Sequence, residues 1–236
     1  PHELWLRAVA AGGQGRYGSA LADLDALSRS QPGRSQVSLA LSTRASFLRQ
    51  LGWHTRARRW DGRAFRFGAD DPESLTDAAI GLAADCLGVG RFAAAQRFLQ
   101  RARDALADTE VPRLPVREAW VSAELAMACG DGAAAVSHAE RAVELAAAFG
   151  SARHIVKSDV VLAAALCSAG AHDRSRRLAD TAFETAGRLG MVPLRWALAC
   201  LLADIGSAIH PPQHVVAVRD ECADTVRRRG GVWPAR

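Results

Sequence analysis

The chain has 236 residues, of which 49% are apolar and only 6% aromatic, ample for a continuous core but poor in the residues that build sheets. A net charge of +5 falls well short of a dedicated nucleic-acid binder and disfavours that class. Five cysteines without a CxxC spacing exclude a disulfide framework and a zinc ribbon, and the longest apolar stretches, 160–166 and 196–202, are too short to cross a bilayer. The expectation is an all-helical protein with no membrane segment, free buried thiols and a cytoplasmic location. Pro1 in place of an initiator Met leads to the further expectation of a fragment or processed form.

Read in order, the chain falls into six helix pairs, each with an alanine at the same point of its first helix: Ala8, Ala45, Ala83, Ala123, Ala163 and Ala199. The first pair, about 1–32, turns at Gly15 and continues through Tyr17, Ala20, Leu24 and Leu27 to Pro32. Its Gly12-Gly13-Gln14-Gly15 lacks a following Lys-Ser/Thr and reads as a turn, not a phosphate loop. The second, about 36–68, has Gly52, His54, Ala57 and Ala64, with Asp61 where an apolar residue is expected. The third, about 72–108, opens with Asp71 as N-cap before Pro72 and runs through Gly90, Phe92, Ala95 and Leu99. The fourth, about 115–150, is the most regular: Trp120, Ala123 and Met127, then Gly130-Asp131-Gly132, then Ala135, Ala139 and Ala142. The fifth, about 153–190, turns at Gly170 and His172. The sixth, about 193–229, departs after Gly206 into Pro211-Pro212, as befits a terminal pair whose last helix turns a polar face to water.

From Ala20 to Ala57 is 37 residues, to Ala95 a further 38, and to Ala135 and Ser175 a further 40 each. A supersecondary unit repeated at such a spacing cannot bury its own apolar face and must stack on its neighbours. The arrangement of a small residue in the first helix, glycine and an aromatic at the turn, and alanines in the second helix resembles the tetratricopeptide repeat. That resemblance implies an all-α, right-handed α-solenoid of about six antiparallel helix pairs occupying residues 1–236 as one domain. The spacing exceeds the roughly 34 residues usual for such repeats.

In tetratricopeptide proteins the first helices line a concave groove, and positions three before and one after the small residue tend to face it. Carried over, these are Trp5, Ser42, Ile80, Trp120, Val160 and Trp196, with Ser46 and Glu124 beside them and Arg49, Arg117, Lys157 and Asp204 at the edges. Aromatic anchors with a charged rim suit a peptide or partner domain; the alternative is that the tryptophans pack against the next repeat. A second feature is Arg56, Arg59, Arg63 and Arg66 at helical spacing, either a polyanion-contacting stripe or a solvated face paired with the acids of 70–85.

No Ser/His/Asp arrangement, clustered carboxylates or third ligand beside His210 and His214 emerges, so no catalytic residue, cofactor or metal site is expected. The leading function is a non-catalytic protein–protein interaction or regulatory scaffold. The alternative is a segment sensing a small-molecule effector or inhibitory protein, because the 40-residue repeats and the ending around Arg229-Gly230-Gly231-Val232-Trp233 resemble the helical-repeat segment of large ATP-dependent transcriptional regulators.

Overall fold

A computed structural model describes residues 1–234. Twelve α-helices and no strands are found among them: α1 His2–Gly13, α2 Tyr17–Arg29, α3 Arg34–Gln50, α4 His54–Phe67, α5 Pro72–Gly88, α6 Phe92–Leu106, α7 Arg113–Ala128, α8 Gly132–Phe149, α9 Ala152–Ser168, α10 His172–Arg188, α11 Val192–Ile205 and α12 Pro212–Arg228. Successive helices pair as first and second members of a TPR-like α-solenoid.

One chemical device makes five of the six pairs. Gly15, Gly52, Gly90, Gly130 and Gly170 all have φ between 71° and 86°, a left-handed conformation that costs glycine nothing and any other residue a Cβ clash. The residue after each glycine donates its N–H to the carbonyl five back: Arg16 to Ala11, Trp53 to Leu48, Arg91 to Cys86, Asp131 to Ala126 and Ala171 to Leu166, all at 2.8–3.0 Å. This closure satisfies carbonyls the ending helix leaves unpaired and reverses the chain at a fixed angle.

The six first-helix alanines are fully buried, as are Ala20, Ala57, Ala95 and Ala135 in the second helices. A methyl at each crossing lets the helix backbones approach closely. Ser175 stands at the equivalent place in α10 and is equally buried; its hydroxyl donates to the Ala163 carbonyl at 2.7 Å, so the extra polar atom is satisfied. Asp71 caps α5 by accepting from the Ser74 N–H at 2.9 Å, with Pro72 at the first helical position.

The sixth turn is built differently. Gly206 has an extended ψ of 152°, and the loop after it is held by buried Asp180 of α10, which accepts from the Ser207 hydroxyl at 2.6 Å and the Ala208 N–H at 2.8 Å. The Ser207 hydroxyl oxygen in turn accepts the Ile209 and His210 amides. Beyond it α12 buries Val215, Val218, Cys222 and Val226 and exposes Asp220, Glu221, Asp224, Arg227 and Arg228, the polar outer face a terminal helix needs.

The helices divide between two compact units. The first holds α1 to Gly12, α2–α6, the chain to Leu114, and the stretch from Arg229. In it α4 lies against α3 and α5, and α5 against α6. The stretch from Arg229 is fixed by the Gly18 N–H donating to the Arg229 carbonyl and the Trp53 indole N–H donating to the Val232 carbonyl at 2.6 Å. The second unit holds residues 13–15 and 115–228. Its α7, α8 and α9 share one core around Val116, Ala119, Ala139 and Val161, and α10–α12 another around Phe183, Leu198 and Leu202.

The five cysteines are unbridged, but they are not uniformly buried: Cys86 and Cys222 are, Cys167 and Cys200 are half-buried, and Cys129 is exposed at the end of the fourth pair's first helix. No helix among the described residues is long and apolar enough to cross a membrane.

Candidate interaction site

In the first unit the expected groove residues are largely used by the fold. Trp5 is half-buried: its indole N–H donates to the Thr43 hydroxyl at 2.9 Å, and its ring lies under the Arg113 guanidinium at 5.5 Å. Arg113 is itself fixed by Glu73 at 2.6 Å and Asp77 at 3.1 Å. The Ser46 hydroxyl donates to the Thr43 carbonyl at 2.7 Å. Ile80 is 1% exposed; it is a core residue and offers nothing to a ligand, because α5 is enclosed by α3, α4 and α6 on all but its termini.

Arg49 is likewise no free rim cation. Its guanidinium, with the side chain 11% exposed, bonds Asp61 of α4 and Asp85 of α5, the latter at 3.0 Å, and both carboxylates are fully buried. The Ser42 hydroxyl donates to Asp61 at 2.9 Å. Gly81 makes room, since a Cβ there would fall 2.5 Å from an Asp61 oxygen. One cation thus serves two buried acids. Burial raises the Asp85 pKa against the pull of Arg49, the neighbouring Asp61 raises it further, and it reaches about 8. Burial also raises Asp61, while Arg49 and Ser42 oppose it. Asp85 therefore keeps its proton at neutral pH and shares it with Asp61, which removes one negative charge from the buried cluster. The Asp61 that breaks the apolar pattern was its signal in the sequence; nothing there tied it to Arg49 or Asp85.

In the second unit, Arg117, Trp120 and Glu124 recur at intervals of three and four on α7 and so share a face. Trp120 is 7% exposed. Its indole N–H donates to the Ser158 hydroxyl of α9 at 2.8 Å, and that hydroxyl donates on to the Ala142 carbonyl. His154 stacks on the same ring at 5.3 Å and 20°, edged by Phe149 at 4.9 Å. Trp120 therefore ties α7 to α9 by packing against the next repeat rather than offering its ring to a partner. Over it Lys157 and Glu124 form an ion pair at 3.1 Å, 28% and 32% exposed, with the Lys157 ammonium 5.8 Å from the Trp120 centroid. Arg117 is half-buried beside them. Val160 and Trp196 are half-buried against the core of α10–α12, and Asp204 is exposed.

The structure thus brings together Arg117, Glu124, Lys157 and Trp120, while Trp5, Ser46, Arg49 and Ile80 serve the first unit's own packing. Sequence reasoning missed His154, which becomes recognisable only once α7 and α9 adjoin. Arg56, Arg59, Arg63 and Arg66 are all exposed on the outer side of α4. Of the acids of 70–85, Asp71 caps the α5 amides, Glu73 and Asp77 bind Arg113 and Asp85 binds Arg49, while Asp70 is exposed. Among the described residues no group of three His, Cys, Asp or Glu side chains has the geometry to hold a metal ion.

No protein-family model matches the chain, and no curated protein does. Solved structures do. A kinesin light chain of Podosopora anserina with nearly identical TPR-like repeats superposes with a TM-score of 0.52, at 16% identity over 84% of this chain and all of that one. A point variant of the same protein gives 0.51, at 20% identity over 83% and 95%. The chain shares their fold, a solenoid of TPR-like repeats, and at these identities the likeness is one of fold.

Proposed function

We propose that the chain is a non-catalytic interaction scaffold, and that the face of α7 and α9 carrying Arg117, Glu124, Lys157 and Val160 receives a peptide or partner segment. The observation that carries this reading is the Lys157–Glu124 pair. Two opposite charges from neighbouring first helices stand partly desolvated above a rigid aromatic floor, where each can add a contact from a ligand group of opposite charge to the one it already makes. Arg117 adds a third polar contact, and the Trp120–Ser158–Ala142 bonds hold the two helices in register so that the face is preformed. A preformed helix face of this kind suits an extended or helical segment.

The test is selection of binding peptides from a displayed library, followed by hydrogen-exchange mapping. A selected peptide should slow exchange on α7 and α9. Lys157→Ala and Arg117→Ala should each weaken it about tenfold, equivalent to about 1.4 kcal/mol, with unchanged thermal unfolding. Protection confined to α8 and α10, or undiminished binding by both variants, refutes the assignment.

A further inference from the structure

The outer face of α4 carries positive charge that no carboxylate among the described residues neutralises. Arg56, Arg59, Arg63 and Arg66 are exposed, while Ala57, Asp61 and Ala64 of the same helix are buried. None of the four meets a carboxylate among the described residues, nor does the exposed Arg58. The face continues onto α6, where Phe98 meets Phe65 of α4 edge-on at 6.2 Å, both half-buried, and exposed Arg97 and Arg101 also lack an acid partner. The one exposed acid on the two helices, Asp104, accepts from Gln100 at 2.9 Å.

At the centre of the arginines stands Gly62. On the helix surface its neighbours three and four residues away are Arg58, Arg59, Phe65 and Arg66. Glycine weakens a helix interior, and nothing inside the protein demands it here: its φ is not positive, and an added Cβ would meet no atom within 4 Å. The result is a dent in the helix surface, floored by backbone and rimmed by three guanidiniums and a phenyl ring. Glycine in such a place fits the close approach of another backbone from outside.

The tryptophans nearby favour a protein partner over a nucleic acid. Trp53 already carries Arg56 at 4.0 Å, and Trp60 carries Arg44 at 5.0 Å and Arg63 at 5.1 Å. Rings engaged in this way orient guanidiniums and are not offered to bases as stacking platforms. Arginine, aromatic rings and an apolar floor at Phe65 and Phe98 are the composition of protein–protein hot spots.

We propose that this face docks an acidic α-helix of a partner protein, whose backbone crosses α4 at Gly62 and whose carboxylates pair with Arg58, Arg59, Arg63 and Arg66. Carboxylates three and four apart on a helix repeat every ~5 Å, the same rise that separates the arginines. The surface lies on second helices of the first unit, so it stands or falls independently of the α7–α9 face.

The probe is a synthetic helical peptide with Glu at every third or fourth position and Leu along one flank, titrated into the full chain by fluorescence anisotropy, beside a duplex DNA and a single-stranded oligouridine. The peptide binds, and high salt weakens it at least tenfold. Arg59→Glu and Arg63→Glu each abolish binding. Gly62→Leu weakens it at least tenfold while leaving the melting temperature unchanged or raised, a combination a purely structural glycine would not give. Lys157→Ala has no effect on this probe. Failure of the peptide to bind, undiminished binding by Gly62→Leu, or tighter binding of either nucleic acid overturns the proposal.

Discussion

Replacing Arg49 by methionine removes the only cation from a cluster whose two carboxylates are fully buried. In the wild-type chain Asp85 holds a proton, and Arg49 is the group that opposes the upward push of burial on Asp61. Without the guanidinium, Asp61 must also take up a proton, because an uncompensated buried carboxylate is worse. Protonating an acid of ordinary pKa 3.8 at pH 7 spans 3.2 pH units, at most about 4 kcal/mol at 1.36 kcal/mol per unit, an upper bound because burial already raises Asp61 in the wild-type chain. At pH 5 the span is 1.2 units, or about 1.6 kcal/mol. The pH 7 figure agrees with the loss of roughly 3–5 kcal/mol typical of breaking a buried ion pair on one side. Urea unfolding followed by circular dichroism at the two pH values measures both. A loss below about 1 kcal/mol at pH 7, or one equal at both pH values, would show that Asp61 does not depend on Arg49 for its charge.

The proton on Asp85 gives the wild-type chain its own signature. Its pKa is about 8 when folded against 3.8 ordinarily, so the native state binds more protons between those limits and stability falls as pH rises from about 4 to about 8. Asp85→Asn, whose amide can donate to Asp61 as the carboxyl O–H does, flattens that slope in urea midpoints taken across the window; an unchanged slope would place the proton elsewhere. Trp120→Phe loses the bond to Ser158, about 1 kcal/mol, together with some packing. Because Ser158→Ala removes the same bond, a double-mutant cycle should show a combined loss smaller than the sum, and additivity would deny the coupling. Asp180→Ala frees the Ser207 hydroxyl and the Ala208 amide, costing about 1–3 kcal/mol. Hydrogen exchange at Ala208 and His210 should accelerate, and protection equal to wild type would mean the loop is held without Asp180.

The repeat was legible because its causes are local. A glycine in a left-handed turn, an alanine where two helices cross, and proline or aspartate at a helix start each act within a few residues, and they recur at a spacing that can be counted. Even Ser175 fits, since a hydroxyl bonded to its own repeat's carbonyl substitutes for a methyl. The sixth pair was legible only as an exception: the proline pair announces a break, but Asp180, which organises the loop, lies 27 residues before Ser207.

What the tertiary structure decided is which side chains spend their polar groups on one another. Arg49 and Trp120 sit where a groove residue would sit by position, yet Arg49 finds Asp85 36 residues away and Trp120 finds Ser158 38 away. The sequence fixes which helix face a residue occupies through the 3.6-residue period, but not which helix stands opposite that face or whether water reaches the gap. For Arg56, Arg59, Arg63 and Arg66 the same uncertainty resolved the other way. Asp71 caps α5, Glu73 and Asp77 serve Arg113 and Asp85 serves Arg49, so the packing of α5 turned these acids away, and the arginines meet no carboxylate among the described residues.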